Sequence, residues 1–291
     1  MKQTLQQLNK LRKIVKLLKI ALLSGFILIF LSFILGISLN LSLGPFLVTL
    51  FIFLFSSGIA LAIFQSKYTN KCNYQLISKL VPSVDPYFTY GYHSGDRQFI
   101  KNSHLFGHPD RVSFHHILQK KEASVTKGIY IVDVSKESEN SEGNTHSHLL
   151  FKGVIFTFQS SYFSSTHIQF LNKTISNNLS KWFTEKFTND QSFLTSTSSI
   201  LNSLYSIKQT YYDHSTVSLI EDLLLSLHER GYDCLASVSE GTFYLALSTN
   251  DFSLSFPTRQ AIIEEDLRHV KEDISTLTAL SDEIASVFPI K

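Results

Sequence analysis

The pattern of apolar and polar positions changes character three times along the chain. Leu5, Leu8, Leu11, Val15, Leu18 and Leu22 recur at alternating three- and four-residue steps, the period of a helix with one apolar face. This helix, residues 1–19, runs without a breaker into a stretch from Ile20 to Ser66 that holds no Asp, Glu, Lys or Arg. Crossing a bilayer core takes about 20 apolar residues at roughly 1.5 Å each. The charge-free stretch, 20–65, therefore reads as a transmembrane helical hairpin, with spans at 20–39 and 45–64 and Gly44–Pro45 as punctuation. A cleaved signal peptide would be shorter, with no second span behind it. "QSKYTNKCNYQLISKLV" lacks Gly and Pro and predicts a juxtamembrane helix over 66–82, ending at Pro82.

Beyond residue 83 the period switches to two. "GIYIVDV" (128–134) and "HLLFKGVIFTFQ" (148–159) are rich in β-branched and aromatic residues and predict strands. The polar run 135–147 between them predicts a flexible loop. Further strands are expected at "RVSFHHIL" and "THIQFL", and helices at "NNLSKWFTEKF", "TSTSSILNSLYSI" and "STVSLIEDLLLSLHERG". The last of these has Ser215 or Thr216 as its cap, an apolar stripe at Val217, Ile220, Leu224 and Leu227, and Gly231 at its exit. "DCLASVSEGTFYLALS" predicts a hairpin turning at "SEG". The expected fold is an α+β domain over 83–259, of mostly antiparallel strands with packed helices, attached to the N-terminal two-helix hairpin.

A closing helix is expected over 260–288. Ile263, Leu267, Val270, Ile274, Leu277, Ile284 and Phe288 recur along it, and only Ser281 interrupts the heptad seam. Either the stripe packs on its own domain or it pairs with a second copy or a membrane-protein partner. Both readings bury these positions, which are the candidate interface. The acidic run Glu264, Glu265, Asp266, Glu272 and Asp273 is explained by a solvated helix face.

Charge gives the anchor a direction. The net charge is +2, yet the first 84 residues hold nine basic residues and no acidic one. The rest carries 17 basic against 24 acidic residues, a balance of −7. Lys2, Lys10, Arg12, Lys13, Lys16 and Lys19 precede the first span, and Lys67, Lys71 and Lys79 follow the second. The loop between the spans is uncharged, so both termini are expected in the cytoplasm of an inner-membrane protein. An acidic soluble part offers no positive face for nucleic acid. Cys72 and Cys234 read as free thiols.

Candidate chemistry centres on "NSHLFGHPDRVSFHH", with His104, His108, His115 and His116. His104 and His108 have the spacing of two ligands on one helix face, but Gly107 and Pro109 disfavour a helix there. Leu105 stands where a metalloprotease needs Glu. His115 and His116 would point to opposite faces of a strand, and His146 and His148 end a polar loop. No cysteine pair completes a zinc set, so no metal and no cofactor is expected. There is no G-x-S-x-G, P-loop or G-x-G-x-x-G. Ser94 beside His93 and Asp96 is not a triad, whose members usually converge from distant segments.

The layout resembles a bacterial membrane-protein family of unknown function, the one numbered 3137. The likeness rests on the two spans, a proline–tyrosine segment, a Ser-x-Leu-Phe element at Ser103, Leu105 and Phe106, and a strand carrying Phe151, Lys152, Gly153 and Phe156. Family members tend to carry a Gly–acidic–Asp stretch after the Leu-Phe element; "GHPDRV" keeps only Gly107 and Asp110. The resemblance implies the anchor-plus-domain architecture and no reaction. Together these readings lead to an expected membrane-anchored binding or scaffold protein facing the cytoplasm. Its partners are the bilayer and, through the closing helix, a protein. The alternative is a membrane-anchored hydrolase with its site in residues 90–160.

Overall fold

The computed structural model describes residues 2–39, 44–91, 97–107, 109–122, 124–139, 145–173, 192–194, 196, 198–252, 254–256 and 262–289. Two compact units divide the chain, Met1–Lys79 with Ser255–Val270, and Leu80–Leu254 with Lys271–Lys291.

In the first unit, helix α1 (Lys2–Leu39) is one uninterrupted helix of 38 residues, so the amphipathic start and the apolar run are a single rod. Helix α2 (Gly44–Lys71) runs antiparallel to it. The two meet closely at Gly25, where a Cβ would overlap the Leu54 side chain. Along the apolar stretches the side chains point outward: Phe26, Phe30, Phe33, Phe51 and Phe55 are 60–67% exposed. Both helices are long and apolar enough to cross a membrane, and only 6% and 11% of their most apolar windows are buried within the protein. Below the apolar stretches the pattern reverses, and Leu8 and Val15 of α1 and Tyr68, Cys72, Leu76 and Ile77 are buried. After α2 the helix widens to π geometry over Cys72–Ile77 and returns as α3 (Ser78–Val84). It therefore passes through Pro82, two residues beyond the predicted stop.

The second unit is built on one antiparallel sheet. Its strands are β1 (Thr89–Gly91), β2 (Arg111–Lys121), β3 (Thr126–Glu139), β4 (Thr145–Gln159), β5 (His167–Asn172), β6 (Ser192–Leu194), β7 (Tyr205–Tyr211), β8 (Cys234–Ser239) and β9 (Thr242–Ser248). Their order is β1-β2-β3-β4-β9-β8-β5-β7-β6. The other described elements are helices α4 (Arg97–Asn102), α5 (Ser199–Leu204) and α6 (His214–Glu229), a 3-10 turn at Ser161–Phe163, and α7 (Glu264–Ser286), whose residues up to Val270 belong to the first unit. Antiparallel strands with helices set apart from them match the expected α+β arrangement.

Cross-strand partners share a face, which separates two cores. On one face Val132, Val134, Phe151, Ile155, Leu235, Tyr244 and Ala246 pack under Phe99 and Ile100 of α4 and under Leu105 and Phe106. On the other, Phe158 and Phe243 stack at 6.1 Å, and Phe163 and Phe288 close over Phe243 at 5.8 and 5.0 Å. The predicted Ser-x-Leu-Phe and strand motifs are thus packing elements. Ser103 and Leu105 are fully buried, and a Cβ at Gly153 would strike the Leu247 carbonyl oxygen of β9.

Several sequence expectations need correction. The polar run 135–147 is mostly strand: β3 extends to Glu139 and β4 begins at Thr145, with Glu137↔Ser147 and Glu139↔Thr145 in register. Small polar and charged side chains suit an arm solvated on both faces, so polarity there did not mean a loop. The helix expected at "TSTSSILNSLYSI" stops at Leu204, because Tyr205 and Ile207 alternate inward as β7. The cap of α6 is Asp213, whose carboxylate accepts the Thr216 N–H at 2.9 Å, rather than Ser215 or Thr216. The helix expected at "NNLSKWFTEKF" lies outside the described residues.

Candidate functional site

The described histidines of the 102–116 segment do not form one cluster. His115 pairs with Asp133 at 2.9 Å on the solvent side of β2, and His116 is buried, bonded to the Tyr90 hydroxyl at 2.9 Å. A register shift between Phe114 and His116 accompanies this divergence. His148 bonds Ser138 on the exposed arm, where His146 is also exposed. His108, and the set His93, Ser94 and Asp96, lie outside the described residues. Among the described residues no group of three or more His, Cys, Asp and Glu is arranged to hold a metal ion.

His104 is the exception, because it meets a residue the sequence reading passed over. It ends α4 with φ +54°, in the left-handed position where Gly or Asn is usual. Its ring sits edge-on to His167 of β5, centroids 5.5 Å apart. Below lies a row of polar side chains on one sheet face, with Ser237 of β8 and Lys208 of β7 flanking Gln169 of β5. Gln169 is 2% exposed, and neither its Oε1 nor its Nε2 finds a hydrogen-bond partner among the described residues. Ser239 is also buried with its Oγ unpartnered. Ser237 is satisfied, donating to the Ser103 carbonyl at 2.5 Å. At the rim Gln98 donates to Asn102 at 2.7 Å, and Asn102 to Glu240 at 2.9 Å. Glu240 and Gly241, φ +51° and +72°, form the two-residue hairpin turn between β8 and β9.

Each buried polar atom left without a partner costs about 1–3 kcal/mol, so three on one patch is unusual for a sheet core. Burial lowers the His167 pKa from its ordinary value. The neighbouring His104 adds to this, while Glu240 pulls the other way. Burial also lowers that of Lys208. The patch is therefore a set of buried or half-buried donors and acceptors beside an imidazole pair. Polar residues at inward positions of "HIQFLN" and "CLASVS" were the available signal, masked because both segments read simply as strands.

A second polar feature lies where the β2–β3 turn approaches the end of α7. It is a cleft of about 410 Å³ lined by Lys120, Glu122, Val125, Lys127, Asp282 and Phe288, among others. Lys120 and Lys127 stand opposite each other in register, an arrangement of like charges that needs compensation. Lys127, 8% exposed, holds Asp282 at 2.7 Å, with Glu122 at 3.5 Å. Lys120 takes Glu122 at 3.0 Å and Asp85 at 3.6 Å. Burial opposes the charge of Lys120, but the Glu122 contact and the carboxylates of Asp282 and Asp85 outweigh it and raise its pKa. The cleft is charged and internally compensated.

The predicted interface stripe lies inside a single chain. Leu267, Val270, Ile274, Leu277, Ile284 and Phe288 are at most 7% exposed, as is Ser281, while Ile263 is 55% exposed. Ile263 precedes α7, and its N–H donates to the Asp266 carboxylate at 2.8 Å. It serves the helix start through its backbone and stands outside the stripe.

Comparison with known proteins finds no matching family model, no matching curated protein and no matching solved structure.

Proposed function

We propose that this protein is a membrane-anchored binding or scaffold protein of the inner membrane. In this reading α1 and α2 span the bilayer as a hairpin, both termini lie in the cytoplasm, and the sheet domain presents its surface there. The carrying observation is the outward row of Phe26, Phe30, Phe33, Phe51 and Phe55 on helices whose apolar windows are almost wholly uncovered. A core helix of a water-soluble protein would bury that row, since uncovered apolar area costs about 25 cal/mol per Å² in water. The orientation is supported by the lysines on both flanks of the hairpin. Six of the seven stripe positions are buried in one chain, so protein contacts through the closing helix would have to use its outer face.

A second reading, a membrane-anchored hydrolase, draws support from the His104–His167 pair and the unpartnered Gln169. Against it, no base activates the nearby buried hydroxyls: Ser239 Oγ has no partner and Ser237 donates to a backbone carbonyl.

The test is extraction and topology of the full chain. Retention in membranes washed with alkaline carbonate, with a C-terminal alkaline phosphatase fusion inactive, is the expected result. Release by carbonate, or an active fusion, would overturn the reading. Crosslinking in intact membranes followed by purification of the full chain should then recover a defined protein partner. Recovery of the chain alone, together with hydrolysis of an ester or peptide substrate lost on His167→Gln, would favour the hydrolase.

A further inference from the structure

The first unit carries a concentrated positive surface that the anchoring role does not by itself require. Lys10, Lys13, Lys16 and Lys19 of α1 and Lys67 and Lys71 of α2 are all exposed. Two contacts fix how the antiparallel helices align: Gly25 against Leu54, and Lys79 Nζ donating to Thr4 Oγ1 at 3.1 Å. Position n of α1 is therefore level with a position near about 80 − n of α2, each step being about 1.5 Å. Lys10 and Lys13 thus stand level with Lys67 and Lys71. Lys16 and Lys19 lie roughly 5–9 Å nearer the apolar stretches, a distance lysine stems can bridge by extending back toward the polar side. The six lysines thus occupy one axial band, a belt of exposed ammonium groups on two helices.

Among the described residues of the unit, none forms an ion pair with that belt, although Asp266 lies close enough to Tyr68 to act on its hydroxyl. The sequence holds no acidic residue before Asp85. The unit's own acidic group begins α7, where Glu265 is already paired with Arg268 at 2.5 Å and His269 at 3.1 Å. Among the described residues no carboxylate comes within ion-pair distance of any of the six lysines, and Lys67 instead lies over the Phe64 ring at 5.9 Å.

We infer that this belt binds the headgroups of acidic phospholipids and retains them in preference to zwitterionic ones. The inference rests on the membrane reading above, which puts the end of the charge-free helices at headgroup depth. A phosphate-bearing headgroup of net negative charge is the partner that a compact, unpaired group of ammonium ions recognises. A zwitterionic headgroup returns its own positive charge to the belt. Lysines near an acidic lipid surface each contribute about fivefold in affinity, an effect that salt screens within about 10 Å at 0.1 M.

The experiment uses the full chain in nanodiscs of mixed phosphatidylcholine and phosphatidylglycerol, followed by gentle detergent release and native mass spectrometry of the retained lipids. Retained phosphatidylglycerol should exceed its bulk proportion at low salt and approach it at high salt. The variant Lys10→Gln/Lys13→Gln/Lys67→Gln/Lys71→Gln should lose at least tenfold of that excess while keeping the wild-type circular dichroism spectrum. Equal retention of both lipids, or an excess unchanged in the variant, would overturn the inference. So would full displacement of the lipid by inorganic phosphate, which would mark a general oxyanion surface. Release of the chain by carbonate is a separate result and would instead sink the membrane reading.

Discussion

Replacing Gly153 by Ala tests how the centre of the sheet is built. Gly153 lies in β4, where seven residue pairs from Gly153↔Ser248 to Gln159↔Thr242 join it to β9. A Cβ there overlaps the backbone carbonyl oxygen of Leu247 and comes within 2.9 Å of the Phe151 ring. A carbonyl in a central strand cannot rotate away, so relief requires β4 and β9 to part locally. Overpacking of a close-packed core costs about 1–3 kcal/mol and occasionally more; a backbone obstacle places Gly153→Ala at the upper end, about 3 kcal/mol. At roughly 2–4 °C per kcal/mol for a domain of this size, Tm should fall by about 6–12 °C. Gly128→Ala is the matched comparison. There the new methyl meets the Tyr130 ring at 2.5 Å and Thr157 Oγ1 at 2.6 Å, the far ends of side chains that can turn. It should cost no more than half as much. Thermal unfolding of the detergent-solubilised full chain by circular dichroism measures both. If Gly153→Ala melts within about 3 °C of the wild type, or Gly128→Ala is the worse of the two, the backbone-obstacle argument is refuted.

Because the His167 pKa is lowered in the fold, the unfolded chain binds the extra proton first as pH falls; stability present above the ordinary histidine value should be lost on acidification through the lowered one, and His167→Gln should flatten a Tm-against-pH profile. Leu277→Ala should cost about 2–5 kcal/mol while Ile263→Ala changes stability by less than about 0.5 kcal/mol, and Leu267→Asp with Ile274→Asp should unfold the chain; a folded double variant that merely loses association by sedimentation would restore the partner seam. Gln169→Leu should be neutral or raise Tm, since it removes two buried polar atoms that have no partner among the described residues; a drop of several degrees would show that the amide is held by a tight hydrogen-bond network.

The architecture was readable where one physical signal dominated. The long charge-free run, the alternation in "GIYIVDV" and the 3.6-residue stripe of α6 gave two long apolar helices, a strand and an amphipathic helix in turn. Legibility failed where local polarity and tertiary pairing disagree. Residues 135–139 and 145–147 look like loop by composition, yet backbone pairing across an arm needs no apolar side chains. Tyr205 and Ile207 follow a helical segment with no breaker, and it is pairing with β5 and β6 that makes β7 a strand. The candidate patch was hidden for a related reason. Its members come from the end of α4 and from β5, β7 and β8, spread over more than a hundred residues, and none carries a local motif. His104 was singled out from its neighbours in sequence, whereas the residue it meets, His167, lies 63 positions on.

The two polar features differ in what they ask of the fold, and that difference ranks them as functional candidates. In the cleft, Lys120 and Lys127 would repel each other across the β2–β3 ladder, but Asp85, Glu122 and Asp282 surround them, so every charge has a partner and the feature explains itself as a tie between the hairpin turn and α7. The patch has no such closure. A glutamine amide with two idle atoms, a buried idle hydroxyl, a histidine in a left-handed position and a glutamate in a tight turn each run against local preference, and they converge on one side of one sheet. Departures of this kind gather at functional or strained sites, which ranks the patch above the cleft. The apolar motif residues Leu105, Phe106, Phe151 and Phe156 are packed as any core would be. Substitutions at His104, His167, Gln169 and Ser239, under the end of α4, are therefore the first to make in testing the binding proposal.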